Sequence, residues 1–254
     1  MSQDQITAKK DYTPQIIIIG LLFFIFGFVT WLNSTLIPYL QIACELETSE
    51  AVLVTFAFYI SYAVMAFPAS WVLKKTGYKK GMMLGLIVMA AGALLFVPAA
   101  NARDYSMFLT GLFIIGTGLA LLQTASNPYI TILGPLESAA KRISVMGICN
   151  KLAGVLAPAI MGAFLLKDSE ALISRINSMD AVQKAAELDA LASRVIVPYI
   201  IITLVLLGLS VFVYYSNLPE VKAEGEEDAG EHHVKDGKTI FSFPYLWLGF
   251  IALF

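Results

Sequence analysis

Six stretches of this chain, Gln15 to Leu40, Ala51 to Leu73, Gly81 to Ala100, Ser106 to Leu133, Ile143 to Leu166 and Val195 to Tyr215, contain only one charged residue between them, Lys151. Each is about twenty residues or longer, enough for a helix to cross the roughly 30 Å hydrocarbon core of a bilayer. A soluble domain has no use for six such runs. Composition points the same way: 58% of residues are hydrophobic and 14% charged, with a mean hydropathy of +0.74, outside the range of soluble globular proteins. The first run is too long for the apolar core of a cleavable signal peptide. A net charge of -2 gives no reason to expect a nucleic-acid partner, and Cys44 and Cys149 are too few for a disulfide framework.

A seventh apolar run starts near Phe241 and reaches only Phe254, too short to cross, so it reads as a span cut mid-helix. The expected organisation is a cytoplasmic amino terminus over 1–14, a six-span bundle over 15–215, a cytoplasmic linker over 216–240 and the start of span seven over 241–254. Orientation follows from the basic residues. Lys9, Lys10, Lys74, Lys75, Lys79, Lys80, Lys141, Arg142, Lys222, Lys235 and Lys238 flank alternate loops, eleven of the seventeen Lys and Arg, which predicts that this side is cytoplasmic. The acidic stretch Glu220 to Asp228 falls on the same side and reads as a solvated linker. The opposite side has Arg103 and, in a longer loop with interleaved Asp and Glu, Lys167, Arg175, Lys184 and Arg194.

An offset of ninety residues matches Pro38-Tyr39 with Pro128-Tyr129 and Pro68-Ala69 with Pro158-Ala159, and an amide lies five positions before the first proline of each copy, Asn33 and Gln123. Three spans per copy make the two copies inverted, the arrangement found inside each six-span half of major facilitator proteins, with substrate held near the bilayer midplane where the repeats meet.

The runs Trp31-Leu-Asn-Ser-Thr-Leu-Ile-Pro-Tyr39, Leu73-Lys-Lys-Thr-Gly-Tyr-Lys-Lys80, Leu122-Gln-Thr-Ala-Ser-Asn-Pro-Tyr129 and Lys141-Arg-Ile-Ser-Val-Met-Gly-Ile-Cys-Asn-Lys151 resemble the fucose and glucose/galactose transporter family of the major facilitator superfamily. The resemblance covers nearly the whole chain. It implies an all-α membrane protein, the six-helix amino-terminal bundle of a major-facilitator fold, whose second six-helix bundle would follow in the natural chain. It further implies secondary active transport of a small hexose, glucose- or galactose-like, across a bacterial inner membrane, with a sugar facilitator or a non-transporting sugar sensor as alternatives. The superfamily motif between spans two and three is degraded, with Lys74 where an acidic residue is usual. The aspartate and glutamate associated with proton coupling in the fucose member align with Ser34 and Gln123. Proton coupling through those positions is therefore not expected; sodium is one alternative, and any coupling carboxylate would come from the second bundle.

Read on their own chemistry, Thr30, Asn33 and Ser34 share one helical face, and Gln123 and Asn127 share another. Side-chain amides donate and accept, as sugar hydroxyls do, and carry no charge to desolvate. Asn33, Gln123 and Asn127 are the expected substrate contacts, while Thr30, Ser34 and Thr124 are expected to hydrogen-bond neighbouring helices. Trp31 either stacks on a pyranose or anchors the outer interface, and Trp71 beside the lysines reads as an interface anchor. The sequence does not say which face Tyr59 and Tyr62 occupy. Lys151, near the middle of span five, is the most unusual residue, because an intramembrane ammonium usually marks a pathway. With Asn150 it is a candidate substrate contact, and alone a candidate coupling charge; pairing with the absent half is the other reading. Gly81 and Gly85 have helix-packing spacing. No phosphate loop, catalytic constellation, metal-ligand set or cofactor motif is present in the sequence; His232 and His233 read as an exposed pair.

Overall fold

A computed structural model describes residues 12–167, 174–175, 179–220 and 248. The expected amino terminus, most of the linker with His232 and His233, and the start of span seven lie outside the described residues. The helices are α1 (Thr13–Ala43), α2 (Thr48–Leu94), α3 (Phe96–Ala102), α4 (Tyr105–Ile132), α5 (Ala139–Leu165), α6 (Ala181–Ser193) and α7 (Ile196–Tyr215), with a 3-10 turn at Leu136–Ser138 before α5. Among the described residues six helical stretches are long and apolar enough to cross a membrane, and no strand is present.

Spans two and three form one nearly continuous helix, α2, broken only at Gly77, whose φ of 77° and ψ of 172° suit a residue without a Cβ. The chain reverses there. Phe58 and Ser61 pack on Gly116 of α4, while Gly85 and Met89 pack on Gly118, two residues further along. On a straight helix Phe58 and Met89 would be about 46 Å apart. The lysines on either side of Gly77 therefore sit on a one-residue turn rather than a loop. The break between α2 and α3 has a different cause: Pro98 cannot donate to the carbonyl four residues back.

The most extensive pairings are α2 with α4 and α1 with α5, and exchanging the two repeats converts one into the other. In the first, Gly116 receives Ser61 and the Phe58 carbonyl; in the second, Gly27 receives Asn150. The ninety-residue offset carries Gly27 to within one residue of Gly116, and Ser61 to within one residue of Asn150. Small residues let these backbones approach, the usual device where lipid removes the hydrophobic drive between helices. Gly85 likewise seats the α4 backbone at Gly118, as its spacing predicted, whereas Gly81 packs on Leu73 across the turn. Phe96 and Tyr199 stack with ring centroids 3.8 Å apart, joining α3 to α7.

The segment before span six corrects the sequence reading of a long loop. Asp180 accepts the Gln183 amide and caps α6, whose Leu188, Leu191 and Ala192 are buried. Tyr39 donates to the Leu191 and Ala192 carbonyls at 2.9 and 2.8 Å. Arg103 donates to the Ala43 carbonyl and pairs with Glu45 and Asp189, and Lys184 also pairs with Glu45. This ties α6 over one end of α1 and α3. At the other end Lys79 donates to the Ser216 carbonyl at 2.7 Å, and Arg142 caps α4 through the Ile130 and Thr131 carbonyls, a favourable place for a cation.

Candidate functional site

A cavity of about 600 Å³ opens where α1, α2, α4 and α5 meet. Of the six expected contacts, Trp31, Asn33, Gln123, Asn150 and Lys151 line it together; Asn127 does not. Asn127 is exposed one helical turn beyond Gln123 on the same face of α4. Pro128 follows it inside the helix.

The two repeat-related amides differ in surroundings. Asn33 is 6% exposed and its Nδ2 has no hydrogen-bond partner among the described residues. Leaving such a donor unpaired costs about 1 to 3 kcal/mol, so a small side-chain shift that brings it an acceptor from the cavity is favoured. Gln123 is half-buried and donates weakly to the Tyr62 hydroxyl at 3.4 Å, reaching across to α2. Asn150 donates to the Phe23 carbonyl, also at 3.4 Å. Long bonds of this kind leave both amides with capacity for a ligand.

The smaller hydroxyls divide. Thr30, Ser34 and Thr124 each donate to a carbonyl of their own helix, Phe26, Trp31 and Ala120, and Thr30 also hydrogen-bonds Tyr62 of the neighbouring α2. Tyr59 lines the cavity, and so does Thr55 one turn before it, a residue the sequence reading missed although its i, i+4 spacing from Tyr59 is a usable signal. Trp71 is exposed, with the Lys75 ammonium 3.7 Å from its ring centroid.

Lys151 and Trp31 form one unit. The Lys151 ammonium stands 5.4 Å from the Trp31 ring centroid, within cation–π range, worth about 0.5 to 1 kcal/mol at a wet site. The indole edge rests on Gly154, where a Cβ would come within 2.8 Å of its Cδ1 and Nε1. The seat was not visible in sequence, because it depends on α1 lying against α5. Lys151 is exposed to the cavity rather than buried in protein. Every Asp and Glu described in this half lies at or beyond a span end, and no acidic residue lines the cavity.

An all-helical bundle of two inverted three-span repeats, with side-chain amides gathered in a cavity between them, is the arrangement of one six-span half of a major facilitator protein. The Major Facilitator Superfamily model matches residues 19–254, and the chain belongs to that family. It is 35% identical over 248 residues to a glucose/galactose transporter of Brucella abortus, covering 98% of this chain and 56% of that protein. It is 33% identical over 223 residues to the L-fucose-proton symporter of Escherichia coli, covering 87% and 51%. A crystal structure of FucP in the outward conformation superposes with a TM-score of 0.73 at 31% identity, covering 87% of this chain and 54% of that one. The chain thus spans about half the length of the curated relatives it matches. The relatives are transporters, not enzymes.

Proposed function

We propose that this chain is the amino-terminal bundle of a secondary transporter that carries a hexose-sized sugar across a bacterial inner membrane by alternating access. The observation that carries the reading is the cavity, where neutral amides from both repeats meet and the buried Asn33 donor is unpaired among the described residues. The names of the relatives support it. A second six-helix bundle, entered after a cytoplasmic linker over 216–240 and beginning with 241–254, would complete the cavity and rock against the first. The least buried spans, residues 48–65 and 136–165, each have 22% of their apolar window covered, against 56% for α4, and they offer the faces for that bundle. With the lysine-rich end inside, residues 1–14 are cytoplasmic.

Ser34 and Gln123 supply no carboxylate for proton coupling, so a coupling ion, sodium or proton, depends on the second bundle or on Lys151. The test is uptake of labelled glucose, galactose and fucose by cells expressing the full-length protein, under a sodium gradient and separately under a pH gradient. Uptake of at least one sugar is expected, with residues 1–254 alone inserting in the membrane without transporting. Failure with all three sugars and with glucuronate and galacturonate, or transport by the isolated fragment in liposomes, overturns the reading.

A further inference from the structure

We propose that the sugar this cavity takes carries a carboxylate, a hexuronate or aldonate rather than a neutral hexose, and that Lys151 receives it. The proposal rests on the cavity being a sugar site. Lys151 is halfway along α5 and its side chain lines the cavity. No span of this half brings it an anion: the described ion pairs all lie at the α6 end, among Arg103, Glu45, Asp189 and Lys184. The ammonium is held instead by the Trp31 ring, itself seated on Gly154. Such a contact orients the charge without neutralising it.

That arrangement suits an anion better than a polyol. When the site closes and expels water, an ammonium facing hydroxyls alone loses hydration and gains little in return. One facing a carboxylate gains a charge-assisted hydrogen bond. Asn33, Gln123 and Asn150 then have ring hydroxyls to bind, and a molecule with one carboxylate and several hydroxyls matches one cation among several amides. Because the Lys151 ammonium stands over the indole, Trp31 acts as a positioning residue for that charge rather than as a free stacking platform.

The experiment measures competition against labelled galactose, and direct binding, for galactose, galacturonate, glucose and glucuronate, using the purified full-length transporter. Each uronate is expected to bind at least about tenfold more tightly than its hexose, the scale of a charge-assisted hydrogen bond. Lys151→Gln should bring that ratio close to one, and Lys151→Arg should keep most of it. Hexose binding without a preference for uronate, or a preference that survives in Lys151→Gln, overturns the proposal and leaves the sugar reading standing. Binding of none of the four overturns both. Should Lys151→Gln fail to fold by gel filtration, the wild-type ratio and the Arg variant decide.

Discussion

Replacing Gly27 by alanine tests whether the α1–α5 contact sets the shape of the cavity. The new Cβ would stand 2.5 Å from the Asn150 carbonyl oxygen, 2.7 Å from its Nδ2 and 3.0 Å from its Cα. Ordinary contact begins at about 3.5 Å, and two of these three atoms are backbone, so a rotamer change cannot relieve the overlap. The helices must separate by about 1 Å, an over-packing cost of about 1 to 3 kcal/mol. The same movement carries Asn150 and Lys151 away from Trp31 and Asn33, so sugar affinity should fall roughly tenfold, the scale of one buried hydrogen bond. Thermal unfolding of the full-length protein in detergent and ligand titration measure the two effects. Gly208→Ala is the control: nothing lies within 4 Å of its Cβ, and the helix gains up to about 1 kcal/mol of propensity. Should Gly27→Ala match the wild type in both unfolding midpoint and affinity, α1 and α5 do not meet as described.

Asn33→Ala and Gln123→Ala should each weaken sugar binding by about 1 to 3 kcal/mol, while Asn127→Ala, outside the cavity lining, should weaken it less; equal losses in ligand titration would place Asn127 in the site. Single cysteines at Lys79 and Asp180 should be respectively shielded from and labelled by an impermeant thiol reagent in intact cells, and the reverse pattern would invert the topology. Native Cys44 lies at the Asp180 end, but burial pushes its thiol up to about 11, so it should label slowly at neutral pH. The hydrogen bond from Lys184, aided by Arg103, holds the Glu45 carboxyl below the usual carboxylate range. A depressed folded-state pKa means that its contribution to stability is present above about pH 4.3 and is lost as pH falls through the folded value. Melting curves should therefore show Glu45→Gln slightly less stable than wild type at neutral pH and level with it at low pH, the gap being small for an exposed group.

The spans were legible because each apolar run is long and almost free of charge, so length and composition alone separate them. Their ends were not. α1 runs from Thr13 to Ala43 because a helix need not stop where hydropathy falls, and the lysines around Gly77 continue α2 because lysine is itself a good helix former. α6 was missed because its alternating acids and alanines average to a polar segment; Asp180 three residues before Gln183, ahead of buried Leu188, Leu191 and Ala192, was the available signal. Within the site, Asn33 and Gln123 were readable through the repeat, and Lys151 through its charge. The Gly154 seat under Trp31 was not, since contacts between spans 120 residues apart in sequence arise only from packing.

The pseudo-two-fold relation between the repeats has a consequence for how a molecule lies in the cavity. Asn33 and Gln123 are exchanged by it, and a wall made only of such pairs would hold a ligand equally well in either of two orientations, end for end. Lys151 has no such mate. The ninety-residue offset carries it to Ser61, which is buried and donates to the Phe58 carbonyl of its own helix. The cavity thus has a charge that the repeat does not reproduce on its other side, so the site has polarity, and a bound molecule enters it with a defined head and tail.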